Sequence, residues 1–324
     1  MTELACESLS QQLMETIQRK SSDWMSLLPE HVLDRPLTQV AIPGSHDSFA
    51  FYLDEKSPVA MDMPRPVRLF ADSFCCLGKR VTCDWSLTQS LDVLQQLQAG
   101  IRYFDIRTCV KPGSSGEFFV LHGLYGHRIR NLLLSVLSFL YVHPKEVVLL
   151  DFNHFYNMTA DSHKQLIDLI QDFFGDKLVP SYFIATKPQD ISLRSLYATP
   201  HRVFVFYQAG YFLTEAGLWP SSAIVAPWAD TDDVKIMVEF LENWYKTKAF
   251  SWQFTVAQGV VTPSYNTVAK HLCTTLKKIS VPATSTFTDW VASKTAGQHG
   301  LNICIADFVE TNLFIPTVIS LNFK

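Results

Sequence analysis

The strongest limit on what this chain can fold into is an alternation that runs through most of its length. Short segments rich in β-branched and aromatic residues recur, and longer amphipathic segments separate most of them. Eight segments read as strands: TQVAIP from Thr38, IRYFDIR from Ile101, EFFVLHG from Glu117, EVVLLDFN from Glu146, RVFVFY from Arg202, AIVAPW from Ala223, WQFTVAQ from Trp252 and LNICIADF from Leu301. Between them, LTQSLDVLQQLQAG, IRNLLLSVLSFLYVH, DSHKQLIDLIQDFFG and DVKIMVEFLENWYK read as helices. Strands that alternate with helices pair in parallel, because each crossover returns the chain to the same end of the sheet. Eight of them in 324 residues predict an α/β fold, an irregular (β/α)8 TIM-type barrel, rather than an open doubly wound sheet. Irregularity is expected at Glu117, which follows Arg107 across KPGSSG, a turn-rich stretch too short for a crossover helix.

The first 35 residues read as an amphipathic helix and lead-in, with Leu4, Leu9, Leu13 and Ile17 at helical spacing, and residues 36–324 as one barrel domain. The amino-terminal stretch lacks the basic start and apolar block of a signal peptide, so secretion is not expected, and the most apolar run, Leu132–Val142, is far short of the ~20 residues that span a bilayer, so no transmembrane segment is expected. A net charge of −4 argues against nucleic acid as a partner. Seven cysteines with no Cys-x-x-Cys pair fit neither a disulfide framework nor a zinc site and point to a reducing compartment. The expected location is cytoplasmic.

In a barrel of this kind, chemistry belongs at the C-terminal ends of the strands. There the sequence places Gly44-Ser45-His46-Asp47, Asp105-Ile106-Arg107, His122-Gly123, Asp151 with Asn153 and His154, and Asp307. Residues two apart on a strand face the same way, so Asp105 and Arg107 both point into the barrel mouth while Phe104 and Ile106 pack outward. A guanidinium there must be paired or meet an anion, and Asp105 is the expected partner. Two histidines beside carboxylates suit acid and base catalysis near neutral pH, and a fixed cation beside them suits phosphoryl chemistry. Taken one at a time, each of these residues also reads as an ordinary loop or core residue. His143, His154 and His163 read as structural. No Gly-x-Ser-x-Gly elbow and no His-Glu-x-x-His motif is present, so the attacking group is expected to belong to the substrate.

The motifs IPGSHDS, GIRYFDIR, VLHG, HPKEVVLLDFNHF and IADF, in this order between Pro36 and Phe308, resemble the X-region barrel of phosphatidylinositol-specific phospholipase C. The likeness is strongest to the eukaryotic X-domain-containing proteins that consist of little else. It implies that the inositol 2-hydroxyl attacks phosphorus, releasing diacylglycerol and a cyclic phosphate. By position, His46 is then the general base oriented by Asp307, and His122 the general acid partnered by Asp47. Arg107, held by Asp105, stabilises the phosphoryl charge. The calcium-dependent signalling enzymes carry an acidic ligand where Arg107 stands and an asparagine where Asp47 stands. Following the other pattern implies no metal and no cofactor. Asn153, Tyr207 and Trp228 are the candidate substrate contacts, with core packing the alternative for the two aromatics. The stretch 58–80, which mixes Arg65, Arg68, Lys79 and Arg80 with Leu69, Phe70 and Phe74, is a candidate for transient membrane contact, or else a plain structural loop. A headgroup-binding module without turnover, and a phosphodiesterase for soluble diesters, remain open as alternatives.

Overall fold

The computed structural model describes residues 12–63, 65, 68–69, 75–114, 116–181, 190–210, 217–248 and 252–324. Nine strands lie among them: β1 (Ile42–Ser45), β2 (Tyr103–Val110), β3 (Phe118–His122), β4 (Leu124–Arg128), β5 (Val148–Tyr156), β6 (Val203–Tyr207), β7 (Ile224–Val225), β8 (Phe254–Gly259) and β9 (Ile303–Ala306). Seven of them pair in parallel in the order β6-β5-β2-β1-β9-β8-β7 and form the wall of the barrel. Its interior is packed with side chains such as Phe204, Phe206 and Phe254, whose rings meet edge to face.

The segment at Glu117 is not a barrel stave. β3 runs antiparallel to β2 and continues into β4, which sequence reading left within a loop. The reason is local. β1 ends where Ser45 lies opposite Phe104, so the outer part of β2, Thr108–Val110, has a free edge on which β3 pairs. The first expected strand is also shorter than read, because Leu37–Gln39 forms a 3-10 turn before β1 begins.

The four helices read from sequence are Val93–Ala99, Ile129–Val142, Ala160–Phe174 and Val234–Thr247. The first shows why it stops and starts where it does. Asp92 and Gln95 form a reciprocal capping box, and Gly100 ends the helix at φ 116°, a conformation that a Cβ disfavours. Two further helices, Cys75–Ser86 and Leu276–Ala292, carry no clear helical pattern in the sequence and matter to the site below. At the amino end, Leu4 and Leu9 lie outside the described residues, while Leu13 and Ile17 fall on helical turns at 12–19 and Ile17 is buried. Trp24 and Met25 follow into the main core, where the Trp24 indole donates to Gly100 O. No helix among the described residues is long and apolar enough to cross a membrane.

Candidate active site

The strand ends place His46, Asp105, Arg107, His122, Asn153, Trp228 and Asp307 around one cavity of about 1480 Å³. β1 delivers the first of these through a tight turn. Gly44 is required there because a Cβ would stand 2.8 Å from the Tyr103 ring. Beyond it Asp47 takes φ 39°, a left-handed conformation that aspartate tolerates better than most residues. The turn is pinned from several sides. Gln89 donates to the carbonyls of His46 and Ala306, Thr88 donates to Asp47 O, and the Asp47 amide donates to Asp105 Oδ2.

The two imidazoles are held differently. His46 Nδ1 lies 2.8 Å from Asp307 Oδ1, and since a carboxylate only accepts, Nδ1 carries the proton and Nε2 faces the cavity. Asp307 is itself fixed by Ser280, whose hydroxyl donates to Oδ2 at 2.8 Å. His122 Nδ1 donates to the carbonyl of Ser86 at 2.7 Å, so its Nε2 also turns inward. Between the two inward nitrogens stands one carboxylate: Asp47 Oδ2 is 3.6 Å from His46 Nε2 and 3.4 Å from His122 Nε2.

Arg107 completes the group, with a correction to the expectation from sequence. Its ion pair is with Asp47, not with Asp105, and its Nη2 lies 3.4 Å from His46 Nε2. Asp105 instead accepts the Asp47 amide and the Asn153 side-chain amide. Asp47 therefore serves both histidines and the arginine, while Asp105 anchors the turn that presents it.

These contacts set the charges. Burial opposes a proton on His46, yet the carboxylates of Asp47, Asp307 and Asp105 overcome it and raise the imidazole to about 9. Asp47 is lowered, because Arg107 and the two imidazoles outweigh the cost of burying its carboxylate. Deeper in the cavity, burial lifts Asp151 to about 7 against hydrogen bonds from Tyr103 and Gln208. His46, Asp47 and Asp105 offer three donor atoms within 4.8 Å of one another, a spacing that suits a cation. The guanidinium already against Asp47 puts a fixed positive charge beside that position.

Other sequence expectations fare unevenly. Asn153 lines the cavity, and so does His154, read from sequence as structural: a register shift in the β2–β5 ladder sets Ile106 opposite Phe152 but Arg107 opposite His154, so both neighbours reach the interior. Trp228 lines the mouth, half exposed, its indole donating to Thr262. Tyr207 does not line it. Its side chain is wholly buried, with the hydroxyl 2.7 Å from His163 Nδ1 on the helix outside the barrel. Gln208, one residue on, takes the inward position. In the stretch 58–80, Phe70 and Phe74 lie outside the described residues, Arg65 and Leu69 are exposed, and Arg80 pairs with Asp84 and Glu55. Sequence reading missed Ser86, Ser280, Gln208 and Gln258. None of them stands in a motif, and only the folded chain brings them to the site.

Comparison with known proteins now bears on the whole chain. No family model matches it. It is 40% identical over 306 residues to human PI-PLC X domain-containing protein 3, covering 94% of both chains. It is 41% identical over 307 residues to mouse PI-PLC X domain-containing protein 2, covering 93% of this chain and 88% of that one. The structure superposes on the phosphatidylinositol-specific phospholipase C of Staphylococcus aureus with a TM-score of 0.63, at 19% identity, covering 94% of this chain and 99% of that one. For the Listeria monocytogenes enzyme the TM-score is 0.64 at 18% identity, with the same coverage. These solved structures share the TIM-type barrel. On the identity that runs through nearly its full length, the chain belongs to the family of PI-PLC X domain-containing proteins.

Proposed function

We propose that the protein is a phosphodiesterase that cleaves inositol phospholipids to diacylglycerol and a cyclic inositol phosphate without calcium. The observation that carries this reading is the single carboxylate of Asp47 set between two inward imidazoles and in contact with Arg107. His46, in the fraction that has lost its Nε2 proton, takes the proton of the attacking ring hydroxyl, and Asp307 steadies the imidazolium that results. The new phosphorus–oxygen bond forms as the bond to the glycerol oxygen breaks. His122, its Nε2 turned inward beside Asp47, gives that oxygen its proton. Arg107 faces the phosphoryl oxygens, where charge grows in the transition state. The family relation and the barrel shared with bacterial phosphatidylinositol-specific phospholipases support the reading.

Contact with the bilayer belongs to the same proposal, for a protein that works from the cytoplasm. Leu77 is exposed on the helix Cys75–Ser86, which lines the cavity, Met61 and Leu69 are exposed in the stretch before it, and Tyr265 and Leu272 are exposed residues that also line the cavity. A second reading has one observation in its favour. With His46 raised to about 9, the proposed base carries a proton near neutral pH and lies beside Arg107, which suits holding a phosphodiester without turning it over.

Vesicles of phosphatidylinositol in phosphatidylcholine, in excess chelator, decide between the two. The expected result is release of cyclic inositol phosphate without calcium, falling by ~100-fold or more in His46→Ala and in His122→Ala, the loss typical of a missing base or acid. Replacing Met61, Leu69 and Leu77 together by serine is expected to weaken vesicle binding while leaving cleavage of monomeric short-chain lipid in place. Vesicle binding with no product at pH 7 or pH 9 would select the binding module. A requirement for calcium would overturn the metal-free mechanism.

A further inference from the structure

The polar residues at the strand ends line only part of the cavity. Two further elements contribute to its lining, and neither turns a charge toward it. From helix Cys75–Ser86 come Gly78, Val81, Thr82 and Trp85, at the three- and four-residue spacing of a single helix face. Lys79, Arg80 and Asp84, the charged residues of the same helix, do not line the cavity, and Arg80 pairs with Asp84 and Glu55. Thr82 turns its hydroxyl back to Gly78 O at 2.9 Å, which satisfies it within the helix. The stretch 261–276 supplies Val261, Val268, Ala269, Leu272 and Leu276, while Lys270 and His271 do not line the cavity. The two elements meet, because helix Leu276–Ala292 packs against helix Cys75–Ser86. Every lining aspartate, histidine and arginine comes instead from the strand ends or from Asp230 and Asp232.

This uncharged part of the cavity begins beside the proposed acid. His122 Nδ1 donates to the carbonyl of Ser86, the last residue of helix Cys75–Ser86. A Cβ placed on Gly123, the next residue, would stand 2.8 Å from Met63 Cε and 3.1 Å from Thr82 Cγ2. At its other limit the uncharged lining reaches the surface, where Tyr265 and Leu272 are exposed. The acid protonates the glycerol oxygen in the reaction proposed above, so the glycerol and its chains depart from the His122 side. Size agrees with an occupant larger than the headgroup. The cavity of about 1480 Å³ exceeds the roughly 300–1,000 Å³ of a pocket for a drug-sized molecule, and an inositol phosphate is smaller than such a molecule.

Resting on the function proposed above, we propose that Val81, Trp85, Val268, Leu272 and Leu276 form an acyl-chain subsite, which receives at least one fatty acyl chain of the lipid beside the catalytic cluster. A hydroxylated or phosphorylated ring gains nothing from a lining without charge. Each methylene buried against it, in contrast, favours binding by about fourfold. A chain held there leaves the bilayer without being returned to water, so the scissile phosphodiester reaches His46 and His122 below the rim.

The test uses phosphatidylinositols with two butanoyl, hexanoyl or octanoyl chains, each below the concentration at which it forms micelles, so that no lipid surface contributes. In the wild type kcat/KM is expected to rise about tenfold with each two-carbon step, as burial of one chain requires. In Val81→Asp and Val268→Asp, each checked for an unchanged melting profile, the step is expected to fall to about threefold or less, since a carboxylate in the lining opposes burial of a chain. Cleavage that does not depend on chain length would overturn the inference while leaving the phospholipase reading intact. A dependence that neither aspartate variant weakens would also overturn it. Calorimetric titration of the wild type with the matching monomeric diacylglycerols separates recognition from turnover. Binding that tightens with chain length upholds the inference even where no lipid is cleaved, whereas binding that ignores chain length, or no binding, rejects it.

Discussion

Two arginines stand five residues apart in GIRYFDIR, Arg102 just before β2 and Arg107 within it, and they live in opposite circumstances. Arg102 is wholly buried at the closed end of the barrel, where its guanidinium is fully occupied. It pairs with Glu146, donates to the carbonyls of Leu97, Ile101 and Ser22, and lies over the Phe139 ring. Arg107 is partly exposed at the open end, and its ion pair is with Asp47, a carboxylate it shares with two histidines. Both bear a charge that burial penalises. In the first case all the hydrogen-bonding capacity is turned inward and ties the amino-terminal segment to the barrel. In the second, part of it faces a cavity, the arrangement expected of a cation that waits for an anion.

Removing each charge should separate the two roles. Arg102→Met leaves Glu146 buried without its partner, and loss of one member of a buried pair costs about 3–5 kcal/mol. Denaturant unfolding is expected to show a loss of that size, with activity per folded molecule retained. The double variant Arg102→Met/Glu146→Leu should recover much of it, because the stranded charge is gone. Recovery of nothing would mean that the carbonyl contacts, rather than the ion pair, hold the segment. Arg107→Gln is expected to invert the pattern: little change in unfolding, and a fall of about 10²–10³ in turnover, the loss seen when a preorganised donor to developing charge is removed. A variant that loses stability but keeps its rate would make Arg107 a second Arg102.

What the sequence disclosed follows from how local each feature is. Side-chain alternation on β2 is a property of the strand alone, so it correctly turned Asp105 and Arg107 together into the mouth. The partner of Arg107 depends on the turn after β1, where φ 39° at Asp47 swings its carboxylate across Asp105, and no pattern in IPGSHDS encodes that rotation. His154, named at the strand end but read as structural, lines the cavity beside Asn153 because of a register shift. For Tyr207 the core-packing reading holds and the substrate contact does not: it sits at a strand end but on the outward phase, and the inward residue is Gln208.

The smallest effect expected concerns pH, and it too distinguishes the closed end of the barrel from the open one. His46 is raised to about 9 in the folded protein, above the ~6.5 of an unfolded histidine. A raised imidazole binds its proton more tightly when folded, so its contribution to stability is fully present below about pH 6.5 and is lost as pH rises through about 9. Arg102 stays charged throughout that window, so the closed end contributes no such loss. Stability is therefore expected to fall between pH 7 and pH 10 in the wild type, and to fall less in His46→Gln, which has no proton to release. Tyrosines and lysines also titrate near the upper limit, but they are common to both proteins and cancel in the difference. Equal losses in the two would mean that Asp47, Asp307 and Asp105 do not hold a charged His46. The base would then be neutral at physiological pH, and the rise in kcat/KM toward pH 9 that a raised His46 demands of the enzyme should be absent as well.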